Sequence, residues 1–285
     1  MPMALILSSH VAASMVGGSL QQRVFNSAGI DTMLVPTVTY GRHPGWGEPG
    51  GGVVEQDVFE GMLSGVVQQG MLNLTDVMLT GYFADVGHVF AAADTIRAVR
   101  AAPRTINGLR AFADQPLIAV DPVMGDSPEG LYVDRPIAAA IKDKLVTQAD
   151  LITPNLFELG HMTGRPLSDL ASMIRAARSL ECPALISSLP RQGKIGVMFI
   201  DGEEAWMVTH DRCPKSPNGT GDLLTACFLT EIVNGASPKD ALEHSTAATF
   251  SVIQRANEWN SPELPVIAAN DVLSKPLIQL EAEAL

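Results

Sequence analysis

The chain has 285 residues, 46% hydrophobic and 18% charged, enough apolar sequence for a large buried core. Its formal charge of -12 argues against a nucleic-acid partner, and an anionic substrate would need local donors to hold it against the field of the whole molecule. The three cysteines, Cys182, Cys213 and Cys227, fit neither a zinc motif nor a disulfide framework, and no apolar run has the length of a membrane span, so the expectation is a cytoplasmic protein with no membrane partner.

In chain order, short apolar runs predict strands over Ala4–Ser8, Thr32–Pro36, Val77–Leu79, Leu117–Val120, Leu151–Thr153 and Ala184–Ser187. Amphipathic stretches predict helices over Ser19–Ala28, Gln56–Gln69, Val86–Ala101, Pro136–Thr147, Leu156–Thr163 and Leu167–Leu180. Ile195–Ile200, Asp201-Gly202 and Glu204–Val208 read as a hairpin at an antiparallel edge, and two helices, Gly221–Asn234 and Pro238–Asn257, follow. Strands alternating with helices imply βαβ units and a mostly parallel sheet. No repeat or composition break divides the chain, so residues 1–285 read as a single domain.

Polar residues stand after the strands: Ser9-His10, Thr80-Gly81-Tyr82, Asp121-Pro122, Pro154-Asn155 and Ser188. Ligands of open parallel sheets bind outside the carboxyl ends of strands, although polar residues there also serve as plain turn formers. Asp121-Pro122-Val123-Met124-Gly125 puts a carboxylate on a rigid turn, an oxygen ligand of the kind Mg²⁺ takes together with phosphates. In Pro154-Asn155-Leu156-Phe157-Glu158 the spacing fits both a helix cap and a ligand pair, with Glu158 reaching a metal only through water.

Asn218-Gly219-Thr220-Gly221-Asp222 runs straight into the apolar segment Leu223–Leu229. A glycine turn opening a helix points unpartnered N–H groups outward, which makes a phosphate cradle. Asp222 would repel phosphate, so it serves either as a cap or as the base that takes a proton from a hydroxyl attacking that phosphate.

Taken together, Ser8-Ser9-His10-Val11, Pro36-Thr37-Val38, Asp121-Pro122-Val123-Met124-Gly125, Thr153-Pro154-Asn155-x-x-Glu158, Gly219-Thr220-Gly221-Asp222 and Ala241-Leu242-Glu243-His244-x-Thr246-Ala247-Ala248 resemble the pyridoxal kinases of the ribokinase superfamily over roughly residues 4 to 276. Gly-Thr-Gly-Asp specifies only the superfamily, and Asp-Pro-Val-Met is shared with hydroxymethylpyrimidine kinases. The Ser-His-Val start points to pyridoxal. The resemblance implies a ribokinase-like three-layer α/β/α fold, usually homodimeric. It implies transfer of the ATP γ-phosphoryl group to the 5′-hydroxyl of pyridoxal, and often of pyridoxine and pyridoxamine, with Mg²⁺ or another divalent metal and a potassium ion. Carried over, Asp222 is the base and Gly219, Thr220 and Gly221 form the anion hole. Asp121 and Glu158 serve the metal and phosphates. Asn155, Ser187, Ser188 and Thr220 lie near the nucleotide. Ser9 and Tyr82, with His43 and Pro44 of the loop after the second strand, face the vitamer.

That loop departs from the family. It reads Tyr40-Gly41-Arg42-His43-Pro44-Gly45-Trp46, with Pro44 where a substrate-contacting Thr is usual, while Trp46 either shields the ring or packs on the loop. Gly18 stands where Asn is usual, and Val24 where Pro is usual. Two rivals remain: a hydroxymethylpyrimidine kinase, against which Ser9 and His10 argue, and a catalytically weak pyridoxal or pyridoxal-phosphate binder, against which Asp222 and Asp121 argue. Met15-Val16-Gly17-Gly18-Ser19-Leu20 does not fit the dinucleotide fingerprint of a dehydrogenase.

Overall fold

The computed structural model describes residues 1–285. The chain divides into two compact units, the first Met1–Met124 with Val133–Asp150, the second Gly125–Tyr132 with Leu151–Leu285.

In the first unit the elements run β1 (Met3–Val11), α1 (Gly17–Ser27), β2 (Asp31–Tyr40), β3 (Gly51–Val53), α2 (Gln56–Gln68), β4 (Val77–Thr80), α3 (Val86–Ala101), β5 (Thr105–Ile106), β6 (Leu109–Arg110), β7 (Leu117–Val120) and α4 (Arg135–Ala140). Its main strands lie in the order β3-β2-β1-β4-β7. The β1–β2, β1–β4 and β4–β7 pairs are parallel, and β3 is antiparallel to β2. Ala4 to Ser9 of β1 are buried without interruption, as expected for a strand covered on both faces rather than one. Helix α3 is capped by Asp85, whose Oδ1 accepts the Gly87 N–H at 2.6 Å.

The expected helix Pro136–Thr147 breaks up. Helix α4 passes into a π-helical stretch, Ile141–Leu145, and then a 3₁₀ turn, Val146–Gln148. Buried Ile137, Ile141 and Leu145 are spaced four residues apart. That interval outruns 3.6 residues per turn, and a widened turn keeps all three on the core side.

The second unit comprises β8 (Gly125–Asp126), β9 (Gly130–Leu131), β10 (Leu151–Ile152), α5 (Leu156–Thr163), α6 (Leu170–Arg178), β11 (Ala184–Arg191), β12 (Lys194–Asp201), β13 (Glu204–His210), α7 (Thr220–Val233), α8 (Pro238–Glu258), α9 (Asp271–Ser274) and β14 (Glu283–Ala284). Its strand order is β10-β11-β12-β13-β14. Only β10–β11 is parallel; the hairpin β12–β13 forms as the sequence suggests, with β11 and β14 also antiparallel to their neighbours. The hairpin is therefore not the outermost strand pair, because β14 covers β13. Gly196 to Ile200 of β12 are all buried, so this sheet too is covered on both faces. Phe199 of β12 stacks on Phe228 of α7 with centroids 5.5 Å apart. Helix α6 begins later than expected because Asp169 and Ser172 form a capping box that fixes its start.

Candidate active site

The second unit carries a glycine turn at a helix start. Gly219 has φ of 89°, a left-handed conformation that other residues adopt only with strain, and stands just before α7. No side chain caps this helix start, and the first helical bond is Leu223 N–H to the Gly219 carbonyl at 2.9 Å. The N–H groups of Thr220 and Gly221 precede that bond, at the positive end of the helix dipole. A Cβ on Gly221 would meet nothing within 4 Å, so the space before the turn is open. These features suit an anion's approach. Asp222 lies in the first turn, half-buried.

A contact that sequence reasoning missed fixes this helix. Thr225, one turn beyond Asp222, donates from Oγ1 to Thr153 Oγ1 at 3.0 Å in a buried site just past β10. Pairing across 72 residues leaves no local signal. The neighbouring cap is also built in: Asn155 Oδ1 accepts the Glu158 N–H, and Glu158 Oε2 accepts the Asn155 N–H, each at 2.9 Å. Asn155 Nδ2 donates to the Gly125 carbonyl at 2.8 Å. Of the two sequence readings of this pair the structure makes the cap: the box orients Asn155 and holds one oxygen of buried Glu158. Asn155 is bridged to Ser187, whose N–H bonds the Pro154 carbonyl at 3.1 Å. Ser187 and Ser188 occupy a register shift of β11 between Ile186 and Leu189, and Ser188 has φ of 65°. A left-handed non-glycine residue costs about 1–3 kcal/mol, strain of the kind found at ligand sites.

In the first unit, β1 carries a matching irregularity. Its register against β2 shifts between Ser8 and His10, at buried Ser9. The start of α1 presses on this point. A Cβ on Gly17 (φ 55°) would sit 1.9 Å from Ser9 Oγ, and one on Gly18 would sit 2.5 Å from Leu34 Cδ1. At position 18 a Cβ would crowd the Leu34 side chain of β2 and come within 3.1 Å of the Ser9 carbonyl, so glycine relieves crowding there.

Tyr82 is held by its backbone. Its N–H donates to Ser8 Oγ at 3.2 Å, and its carbonyl accepts from Thr37 Oγ1 at 2.7 Å. Burial, helped by Tyr40 and Asp134, raises the Tyr82 pKa, so the phenol stays a neutral donor near pH 7. Buried Asp121 follows β7, its N–H bonded to the Thr80 carbonyl at 2.9 Å.

The loop after β2 folds into a one-turn helix, Pro44–Trp46. Pro44 is at its first position, and His43 Nδ1 accepts the Gly45 N–H at 3.0 Å. The His43 N–H reaches Ser14 Oγ at 3.2 Å, which ties the loop to the segment after β1. Trp46 is 51% exposed, so it does not pack into the core.

No cluster of three or more His, Cys, Asp or Glu side chains forms a metal cage. Buried Asp121 in the first unit and buried Glu158 in the second each carry a carboxylate, the hard oxygen donor that an ion such as Mg²⁺ takes.

Residues 98–266 match the phosphomethylpyrimidine kinase family. A pyridoxal kinase of Deinococcus radiodurans is 30% identical over 98% of this chain and 95% of its own. A pyridoxine/pyridoxal/pyridoxamine kinase of Bordetella avium is 31% identical over 90% of this chain and 86% of its own. Among solved structures, the pyridoxal kinase of Leishmania donovani, in complex with ADP and pyridoxamine, superposes with a TM-score of 0.89 at 24% identity over the full length of both chains, which shows the ribokinase-like α/β fold. The family match spans more than half of the chain and the whole-length relatives share one activity, so the chain belongs to the phosphomethylpyrimidine kinase family and, within it, to the pyridoxal kinases.

Proposed function

We propose that this protein transfers the γ-phosphoryl group of ATP to the 5′-hydroxyl of pyridoxal, with pyridoxine and pyridoxamine as related acceptors. The observation that carries the reading is the start of α7, where an uncapped glycine turn stands one residue before a carboxylate. Phosphoryl transfer spreads charge over the phosphoryl oxygens and asks the protein for positioning and charge stabilisation. The Thr220 and Gly221 N–H groups would take that charge. Asp222 would accept the hydroxyl proton as the bond to phosphorus forms, and the Thr225–Thr153 bond keeps its helix from shifting.

Asn155, Ser187 and Ser188 would line the nucleotide, while Ser9, His43, Pro44 and Tyr82 would line the vitamer. Mg²⁺ would be held by Asp121 and, through water, by Glu158, and it would neutralise charge on the nucleotide phosphates. The relatives match nearly the whole chain, which supports reading residues 1–285 as one kinase domain. A homodimer, a potassium ion and a cytoplasmic setting complete the reading. No helix is long and apolar enough to cross a membrane, and light scattering checks the dimer.

The family model's description favours one second reading, a hydroxymethylpyrimidine kinase. The whole-length relatives favour pyridoxal. A panel of the three B6 vitamers and hydroxymethylpyrimidine, each with ATP and Mg²⁺, separates the two. The expected result is highest kcat/KM for a B6 vitamer; turnover of hydroxymethylpyrimidine alone contradicts it.

A further inference from the structure

The segment 211–219, between β13 and α7, delivers the Gly219 turn, and helix α8 holds it at two points. At its root, His210 packs on Phe250 with ring centroids 4.7 Å apart. At its middle, Asn257 clamps the backbone of Lys215. Asn257 Oδ1 accepts the Lys215 N–H at 3.1 Å, and Asn257 Nδ2 donates to the Lys215 carbonyl at 2.8 Å. The same Nδ2 donates to the Ile253 carbonyl one turn back at 2.8 Å, which fixes the side chain on its own helix.

Positions 250 and 257 are two turns apart and share a face of α8. Between them the helix fixes the start and the centre of the segment. A small pocket of about 70 Å³ lies beside the clamp, between Pro214, Pro217 and the end of α8 at Ala256 and Asn260. The hydrogen bonds of Asn257 reach Lys215 at its edge. Pro217, between the clamp and Gly219, fixes its own φ and removes one soft angle from that stretch. Only three residues separate Lys215 from Gly219, so a shift of the clamped backbone is passed to the turn through a short, partly stiffened tether.

We infer that Asn257, distant in sequence from every motif of the site, is a positioning residue for nucleotide binding that sets the phosphate cradle through the Lys215 backbone. The inference rests on the kinase reading. The complete enzyme is titrated with ADP in the presence of Mg²⁺, and separately with pyridoxal, by calorimetry. Asn257→Ala is expected to weaken ADP about fivefold to tenfold, the effect of about one ordinary hydrogen bond, since part of the loss of the clamp falls on folding and not on binding. Pyridoxal affinity should stay within about twofold, since its contacts do not run through the clamp. Asn257→Gln keeps the amide but moves it one methylene out of register with Lys215, so an intermediate loss is expected. This milder change also serves if the alanine variant fails to fold.

In a Gly219→Ala background, where the cradle is already strained, Asn257→Ala should weaken ADP little further. Unchanged ADP affinity in both Asn257 variants overturns the inference, as does an equal loss for ADP and pyridoxal or full additivity with Gly219→Ala. If the wild-type enzyme itself binds no ADP, the kinase reading falls and takes this inference with it.

Discussion

Pro44 begins a one-turn helix and offers neither a hydroxyl nor an N–H at a position where the family uses Thr. A net hydrogen bond contributes about 0.5–1.5 kcal/mol, so Pro44→Thr should lower KM for pyridoxal roughly threefold to tenfold, as steady-state kinetics would show. The loop also loses a rigid residue, and an unchanged or raised KM would mean that another group already makes the contact. At Asp121 the expectation concerns metal. Asp121→Ala should raise the Mg²⁺ concentration needed for half-maximal rate, whereas a turn residue would lose thermal stability with the metal titration unmoved. At this scale the sequence is most legible where chemistry is local. Gly219 to Asp222 and Asn155 to Glu158 are each contiguous, and turn, cap and carboxylate can be read from the spacing alone. Ser9 and Ser188 are legible as polar residues after strands, but the bulge at one and the left-handed angle at the other depend on how neighbouring strands register. Thr153 stands in a motif, yet its bond to Thr225, like that of Asn257 to Lys215, joins residues far apart in the chain and leaves no local signal.

Among the elements, β4 is fixed at both ends. At its carboxyl end stands Tyr82; at its amino end a polar network lies deep in the first unit. Asp76, with its side chain 2% exposed, accepts from Arg104 Nη2 at 2.8 Å, from the Ala113 N–H at 2.8 Å and from the Met3 N–H at 3.0 Å. Arg104 also donates to the Thr75 and Ala113 carbonyls. Removing one partner of a buried pair strands the other, at a cost of about 3–5 kcal/mol. Arg104→Ala should therefore lose stability on that scale in urea melts while kcat of the folded enzyme stays near wild type. A loss below about 1 kcal/mol would mean that solvent replaces the guanidinium. Strand and helix periods revealed the long elements. The short ones escaped: β3 lies in a glycine stretch that reads as loop, and it forms only because Val38 of β2 pairs with Val53. Strand β14 is two residues long and exists only by pairing with β13.

For the molecule as a whole, buried titratable groups set a stability window. Burial holds His88 and His210 below the ordinary histidine value, so they stay neutral in the fold while the unfolded chain takes up protons. A depressed histidine thus contributes stability above about pH 6.5 that is lost as pH falls below it. His88 stacks on Phe59 with centroids 4.2 Å apart, so His88→Phe keeps a ring there and should flatten the acid limb of stability against pH. On the alkaline side, burial pushes the Cys227 thiol up to about 12 from the ordinary 9.0. The unfolded chain ionises first, so stability is full below pH 9 and falls above it by about 1.4 kcal/mol per pH unit. Cys227→Ala should remove that slope, and a slope unchanged by the substitution would show that other groups cause it. The account's central claim concerns the start of α7, and Asp222→Asn tests it most directly. Asn matches Asp in size and Asp222 is not the cap of this helix, so the change removes the proton acceptor and the charge while keeping the fold. Measured side by side, kcat should drop about 10²–10⁴-fold while ADP affinity is kept or slightly improved. A variant that retains more than about a tenth of wild-type kcat would contradict the claim, leaving catalysis to positioning and charge stabilisation alone.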